Sequence, residues 1–141
     1  MIDAFIDTNV LLYAASAKPE EAAKSETARN TILTVRFGIS TQVLQEFYVN
    51  ATDKLASSIP EENLRTILAL LKGRPIAPVT IDLFEEAVDI KQRYQISYWD
   101  AAIVAAAKQL GARVIFTEDL ANAQQYDGVK VINPFLPAPT N

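Results

Sequence analysis

The chain has 141 residues, half of them hydrophobic and 21% charged, with 13 Lys and Arg against 17 Asp and Glu. That length accommodates one domain with a packed core, and the composition is that of a globular protein rather than a disordered one. Cysteine and histidine are both absent. Their absence excludes disulfides, thiolate nucleophiles, zinc held through sulfur or imidazole, Ser-His-Asp triads and metal-free nucleases that rely on paired histidines. The formal charge of −4 gives no general attraction to nucleic acid, so a basic patch or a bound cation would have to supply it.

The N-terminal stretch MIDAFIDTN lacks the basic-then-apolar pattern of a signal peptide, and no apolar run is long enough to span a bilayer. A soluble, cytoplasmic protein is expected. In chain order, Ile2 to Ile6 reads as a short strand ending at Asp7, a favourable helix N-cap, with a short helix through Val10 to Ala15 behind it. Pro19, Glu20 and Glu21 open a second helix that carries Ile32, Leu33 and Val35 near its end. Gly38 to Ser40 is a very short strand. From Thr41 an amphipathic helix follows, its stripe formed by Val43, Leu44, Phe47, Tyr48, Ala51 and Leu55. Pro60 starts a further helix with Leu64, Ile67, Leu68 and Leu71 on one stripe, closed by Gly73.

Ile76 to Thr80 contains Pro78 and is an edge strand or extended connection. Leu83, Phe84, Ala87, Val88 and Ile90 mark the next helix. Ser97-Tyr98-Trp99-Asp100 then opens AAIVAAAKQL, a helix apolar nearly all round that must be covered on most sides. Arg113 to Thr117 is a strand, Glu118 to Asn122 a turn of helix, and Val129 to Ile132 a last strand. Strands alternating with helices predict an α/β three-layer sandwich with a short, mainly parallel central sheet flanked by helices. Residues 1–135 form a single domain in this reading, and 136–141 a frayed tail. Right-handed crossovers put the loops after the strands on one edge, where open sheets bind ligands.

Four carboxylates then stand out. Asp7 follows the first strand, and Asp119, with Glu118 beside it, follows RVIFT; either is also explained as a helix cap. Glu46 lies at the margin of its helix's apolar stripe, too far in for a capping box and without an i±4 ion-pair partner, because those positions hold Gln42 and Asn50. A solvated face is the alternative. Asp100 fits a Ser97-x-x-Asp100 capping box, and equally a carboxylate kept at the sheet edge while Trp99 and the alanines pack inward. Carboxylates converging in a cleft repel one another unless a cation neutralises them. With no softer donors available, that cation is Mg²⁺ or Mn²⁺. Setting the four aside leaves 13 acids against 13 bases. A hard dication so held can bridge to a phosphate, acidify a water and stabilise an in-line transition state, which suits phosphodiester hydrolysis.

FIDTNVLLYA, Glu46 in QVLQEFYVN, Asp100 in SYWDAAIVAAA, Asp119 in FTEDL and the ending VINPF resemble, in order and through nearly the whole chain, the PIN-domain ribonucleases. The resemblance is nearest to the VapC-type toxins of toxin–antitoxin modules. It implies a PIN-like fold, Mg²⁺- or Mn²⁺-dependent endonucleolytic cleavage of RNA, a homodimer and inhibition by a cognate antitoxin. It implies Asp7, Glu46, Asp100 and Asp119 as catalytic, metal-binding acids, with Asn9 and Thr117 as supporting polar groups. Asp119 is chosen over Glu118 because the family's last acid lies two places after a Ser or Thr, here Thr117. Asp3 has no counterpart and reads as solvated. Lys18, Lys24, Arg36, Lys54, Lys72 and Arg74 are the candidates for RNA phosphate contacts. Tyr13, Tyr48 and Trp99 could stack on bases, although their spacing is that of core residues. The stripe Leu64, Ile67, Leu68, Leu71 is either core or an antitoxin groove.

Rival readings lack parts. A haloacid-dehalogenase-like phosphatase needs a second acid where Asn9 stands. A receiver domain needs paired acids at the first strand's end and a lysine after a late strand, but Thr8 and Glu118 occupy those places. A catalytically inactive interaction module of the same fold remains the alternative function, and glycoside hydrolysis by two carboxylates would need no metal.

Overall fold

The computed structural model describes residues 1–53 and 59–137. Its elements are β1 (Ala4–Ile6), α1 (Thr8–Ala15), a 3₁₀ turn (Pro19–Glu21) leading into α2 (Ala22–Thr34), β2 (Phe37–Ser40), α3 (Thr41–Ala51) and α4 (Glu61–Lys72). There follow β3 (Ile76–Ala77), α5 (Ile81–Tyr94), α6 (Tyr98–Gln109), β4 (Val114–Phe116), β5 (Gln125–Tyr126) and β6 (Val129–Ile132). Leu55 at the expected end of α3, Lys54 among the basic candidates and positions 138–141 of the tail lie outside the described residues.

The strands form one sheet in the order β3-β2-β1-β4-β6-β5, parallel except for the β5–β6 pair. From β1 the chain steps outward through β2 to β3, then crosses back to β4 on the other side of β1. The sheet therefore changes winding direction between β1 and β4, the position at which open α/β sheets form a ligand crevice. Helix α1 packs against α2, α3 and α4, whereas α6 lies on β2, β3, β4 and β6 beneath α5. Every residue of α6 from Ala101 to Ala107 is buried, as its all-round apolarity predicts. Among the described residues no helix is long and apolar enough to cross a membrane.

Local chemistry fixes the helix starts. Asp7 caps α1, Ser40 caps α3, Thr80 caps α5 and Ser97 caps α6, each side chain accepting from an amide of the first turn. Gly38 lets α6 approach β2. A Cβ there would lie 2.7 Å from Leu110 Cδ1 and 3.1 Å from the Pro75 carbonyl oxygen. Gly38→Ala is expected to lower stability by about 1–3 kcal/mol through overpacking, seen as a reduced thermal midpoint.

Three expectations are corrected. Glu118 to Asn122 forms no helix, because the chain turns onto the sheet instead, Ala123 taking φ 69° and its amide donating to the Val131 carbonyl at 2.9 Å. Glu118 N donates to Asn9 Oδ1 and Asp119 N to Thr117 Oγ1. Second, β5 is an additional strand, paired to β6 across Asp127-Gly128. Both turn residues have positive φ, 51° and 84°, as a type I′ hairpin turn requires. Asp127 ties this turn to α5 and α6: its carboxylate accepts from Arg93 at 2.5 and 2.6 Å, Tyr94 OH at 2.9 Å and Lys108 at 3.0 Å. The Arg93 guanidinium holds that carboxyl well below the usual carboxylate range. Third, Trp99 and Tyr48 do not pack inward but are 64% and 53% exposed. The alanines of α6 take the buried face, and Trp99 rests edge-on against Tyr98 at 5.2 Å.

Candidate acidic active site

Asp7 leaves β1 and Thr117 leaves β4, so both stand at the carboxyl ends of adjacent parallel strands beside the change in winding. Glu46 reaches the same edge from α3, Asp100 from the first turn of α6 and Asp119 from the segment after β4. Their proximity is electrostatic as well as topological. Burial raises the Asp7 and Asp100 carboxyl pKa values most, and Asp119 and Glu46 each repel both groups and add to the rise.

A hydrogen-bond network links the acids. Asp7 caps α1 by accepting from Thr8 N at 2.7 Å on Oδ1, and it accepts from the buried Thr117 hydroxyl at 2.9 Å on Oδ2. That hydroxyl in turn accepts from Asn9 Nδ2 at 2.9 Å and from Asp119 N at 3.1 Å. Asn9 Nδ2 also donates to Asp119 Oδ2 at 3.1 Å. Thr117 is fully buried, so its one donor and two acceptor sites are all used within the site.

Glu46 is held from two sides, by Thr8 Oγ1 at 2.9 Å and by Gln42 Nε2 at 2.9 Å. Both partners are buried. Sequence reading missed them: it weighed position i−4 only for an ion pair, yet an amide one turn back is an equally good partner for a carboxylate. Thr8 thereby joins two of the acids, through its amide to Asp7 and its hydroxyl to Glu46.

Burial raises the Asp7 carboxyl most, and the repulsion of Asp119 and Glu46 adds to it, so the pKa is pushed up to about 6 despite the bonds from Thr8 and Thr117. Burial also leads at Asp100, with a bond from Ser97 opposing it. These carboxyls resist ionisation because burial and the neighbouring carboxylates both disfavour the charged form. Among the described residues no three acidic side chains form a cluster that could hold an ion as they stand. The donor chemistry nevertheless fits a hard divalent cation, since Mg²⁺ is commonly held by one or two carboxylates plus waters rather than by a protein cage.

Other candidates go elsewhere. Arg36 directly precedes β2 and Arg74 lies two residues before β3, both at the opposite edge of the sheet. Arg36 pairs with exposed Asp3 at 3.1 Å, and Arg74 covers the Phe37 ring at 4.7 Å. Lys72 ends α4 on its way to that same edge. Lys18 precedes the 3₁₀ turn, and Lys24 contacts the segment after β4 through Glu118. Of the α4 stripe, Ile67 and Leu71 are buried core.

A family model for the PIN domain matches residues 4–127. No curated protein matches the sequence at a significant level. Among solved structures, a toxin–antitoxin complex from Klebsiella pneumoniae is 24% identical with a TM-score of 0.67, over 94% of this chain and 98% of that one. Mycobacterium tuberculosis VapC20, described as a sarcin–ricin-loop-cleaving toxin, is 21% identical with a TM-score of 0.64, over 83% and 92%. DNA-bound VapBC from Salmonella typhimurium is 22% identical with a TM-score of 0.63, over 93% and 97%. The matched region runs from β1 to the turn before β6 and contains Asp7, Glu46, Asp100, Glu118 and Asp119, and the chain belongs to the PIN-domain family.

Proposed function

We propose that this protein is a Mg²⁺- or Mn²⁺-dependent endoribonuclease that hydrolyses RNA phosphodiester bonds. In this reading it is the toxin of a toxin–antitoxin module, a cytoplasmic homodimer restrained by a cognate antitoxin protein. One observation carries the catalytic part: at the edge where the sheet changes winding, Asp119 and Glu46 each repel both the buried Asp7 and the partly buried Asp100. Acids set against one another in this way gain from a cation drawn between them and from the phosphate it brings. The similarity to VapC20 and to toxin–antitoxin complexes supports the biological part.

Asp7, Asp100, Asp119 and Glu46 would hold the metal, directly or through waters. The cation, when bound, would supply Lewis-acid polarisation of the phosphate and a more acidic water. Thr117 fixes Asp7 and receives the Asp119 amide, while Asn9 spans Thr117 and Asp119, so the two polar groups preserve the spacing of two acids. Thr8 and Gln42 leave the Glu46 carboxylate a single orientation.

Antitoxin-free protein is expected to cleave RNA from a diverse pool when Mg²⁺ or Mn²⁺ is present, to stop on addition of EDTA and to recover when either ion is restored. Asp100→Asn is expected to remain folded and to lose activity by roughly a hundredfold or more. Intact RNA under all these conditions would instead identify an inactive interaction module. Sequencing RNA ends after brief induction in cells would then identify the substrate.

A further inference from the structure

The segment after β4 contains two consecutive acids, and they are held in opposite ways. Asp119 accepts from Asn9 on the side of Asp7. Glu118 is engaged from α1 and α2, where the Tyr13 phenol donates to Oε1 at 2.8 Å and Lys24 Nζ donates to Oε2 at 2.9 Å. Lys24 also donates to the Tyr13 oxygen at 3.2 Å. Its ammonium lies 4.8 Å from the Tyr13 ring centroid and 5.4 Å from that of Phe135, and those rings meet edge to face at 5.0 Å.

Half-exposed ion pairs are individually weak and wander. This one is different because a phenol and two ring faces fix the ammonium. Both Glu118 oxygens are engaged and its charge is compensated. Released from these contacts, the carboxylate would become a fifth negative group next to Asp119, competing for whatever cation the acids attract.

We propose that Lys24 and Tyr13 are positioning residues that hold Glu118 out of the acidic group, leaving Asp119 as the one acid of its segment that faces a divalent cation. The inference rests on the metal-dependent reading above. It has an unusual signature: removing Lys24 takes a positive charge from the rim and frees a carboxylate, so the cation binds more tightly but in the wrong place. Cation affinity and catalysis then move in opposite directions.

The test titrates Mn²⁺ into the full-length protein by electron paramagnetic resonance and measures RNA cleavage separately. Lys24→Met is expected to tighten Mn²⁺ binding about threefold to tenfold, the effect of one unit charge near a site on a dication, while lowering kcat about tenfold or more. Tyr13→Phe should shift both in the same directions by less. The double variant Lys24→Met/Glu118→Gln, which has no carboxylate to release, should return Mn²⁺ affinity to within about twofold of wild type and recover most of the lost kcat. Mn²⁺ binding and cleavage falling together in Lys24→Met, with no rescue by Glu118→Gln, would overturn the proposal, as would no change in either. Mn²⁺ binding without cleavage of any RNA would overturn the ribonuclease reading alone, because the affinities of the variants still decide this inference. No Mn²⁺ binding by the wild type would overturn both.

Discussion

Asp7→Asn is expected to reduce RNA cleavage by roughly a thousandfold and, at about pH 7.5, to make the metal-free protein more stable than the wild type. The two effects share one cause. Asp7 is buried at 5% exposure, and burial with the repulsion of Asp119 and Glu46 raises its pKa from 3.8 to about 6. The folded state therefore binds more protons than the unfolded state between those values, so stability falls as pH rises through that window. Above it the penalty is complete, with a ceiling of roughly 3 kcal/mol. Asn removes the charge but leaves one of the bonds from Thr8 N and Thr117 Oγ1 without its acceptor, costing about 1 kcal/mol. The net gain near neutral pH is about 1–2 kcal/mol, or several degrees in thermal midpoint, and it should vanish toward about pH 4, where Asp7 in the folded wild type is protonated. Saturating Mn²⁺ should reverse the order, because only the wild type offers the full charge. Thermal melts of both proteins across this pH range, with and without Mn²⁺, check each part.

Thr117→Val is expected to damage both stability and activity. The side chains are nearly the same size, so packing is kept, but the hydroxyl serves Asp7, Asn9 and Asp119 at once. Its loss leaves a buried carboxylate with a single partner and the Asn9 and Asp119 donors without this acceptor. A loss of about 2–4 kcal/mol follows from unsatisfied buried groups, together with a fall in cleavage of about tenfold to a hundredfold as Asp7 and Asp119 lose their common anchor. Without that bond the Asp7 pKa moves further up, so the loss should be larger at neutral than at acid pH. Thr117→Ser retains the donor and both acceptor sites and should recover most of both quantities. Urea unfolding at the two pH values, beside cleavage assays, separates these expectations.

Some features were decided by local sequence. Alternating strand and helix signals required an α/β sandwich, and the alanine-rich stretch after Asp100 required a helix covered on its faces, because neither pattern can bury its apolar surface otherwise. The caps at Asp7 and Ser97 were legible for the same reason: an orphan amide and its acceptor are neighbours in the chain. The Asp127-Gly128 hairpin is equally local, its turn specified by two adjacent residues that tolerate positive φ. Lack of histidine and cysteine confined any metal chemistry to oxygen donors before a fold was considered.

What joins Asp7 to Thr117, Thr8 to Glu46 and Lys24 to Glu118 depends on packing between segments up to 110 residues apart. No periodicity encodes such pairs, since each requires two elements to meet at a particular height along the sheet. Which of two adjacent acids faces the others, and which aromatic residues of an apolar stripe stay outside, were decided in the same way. Main-chain signals act over one or two turns, whereas the direction of a surface carboxylate is chosen by whatever donor the fold brings beside it.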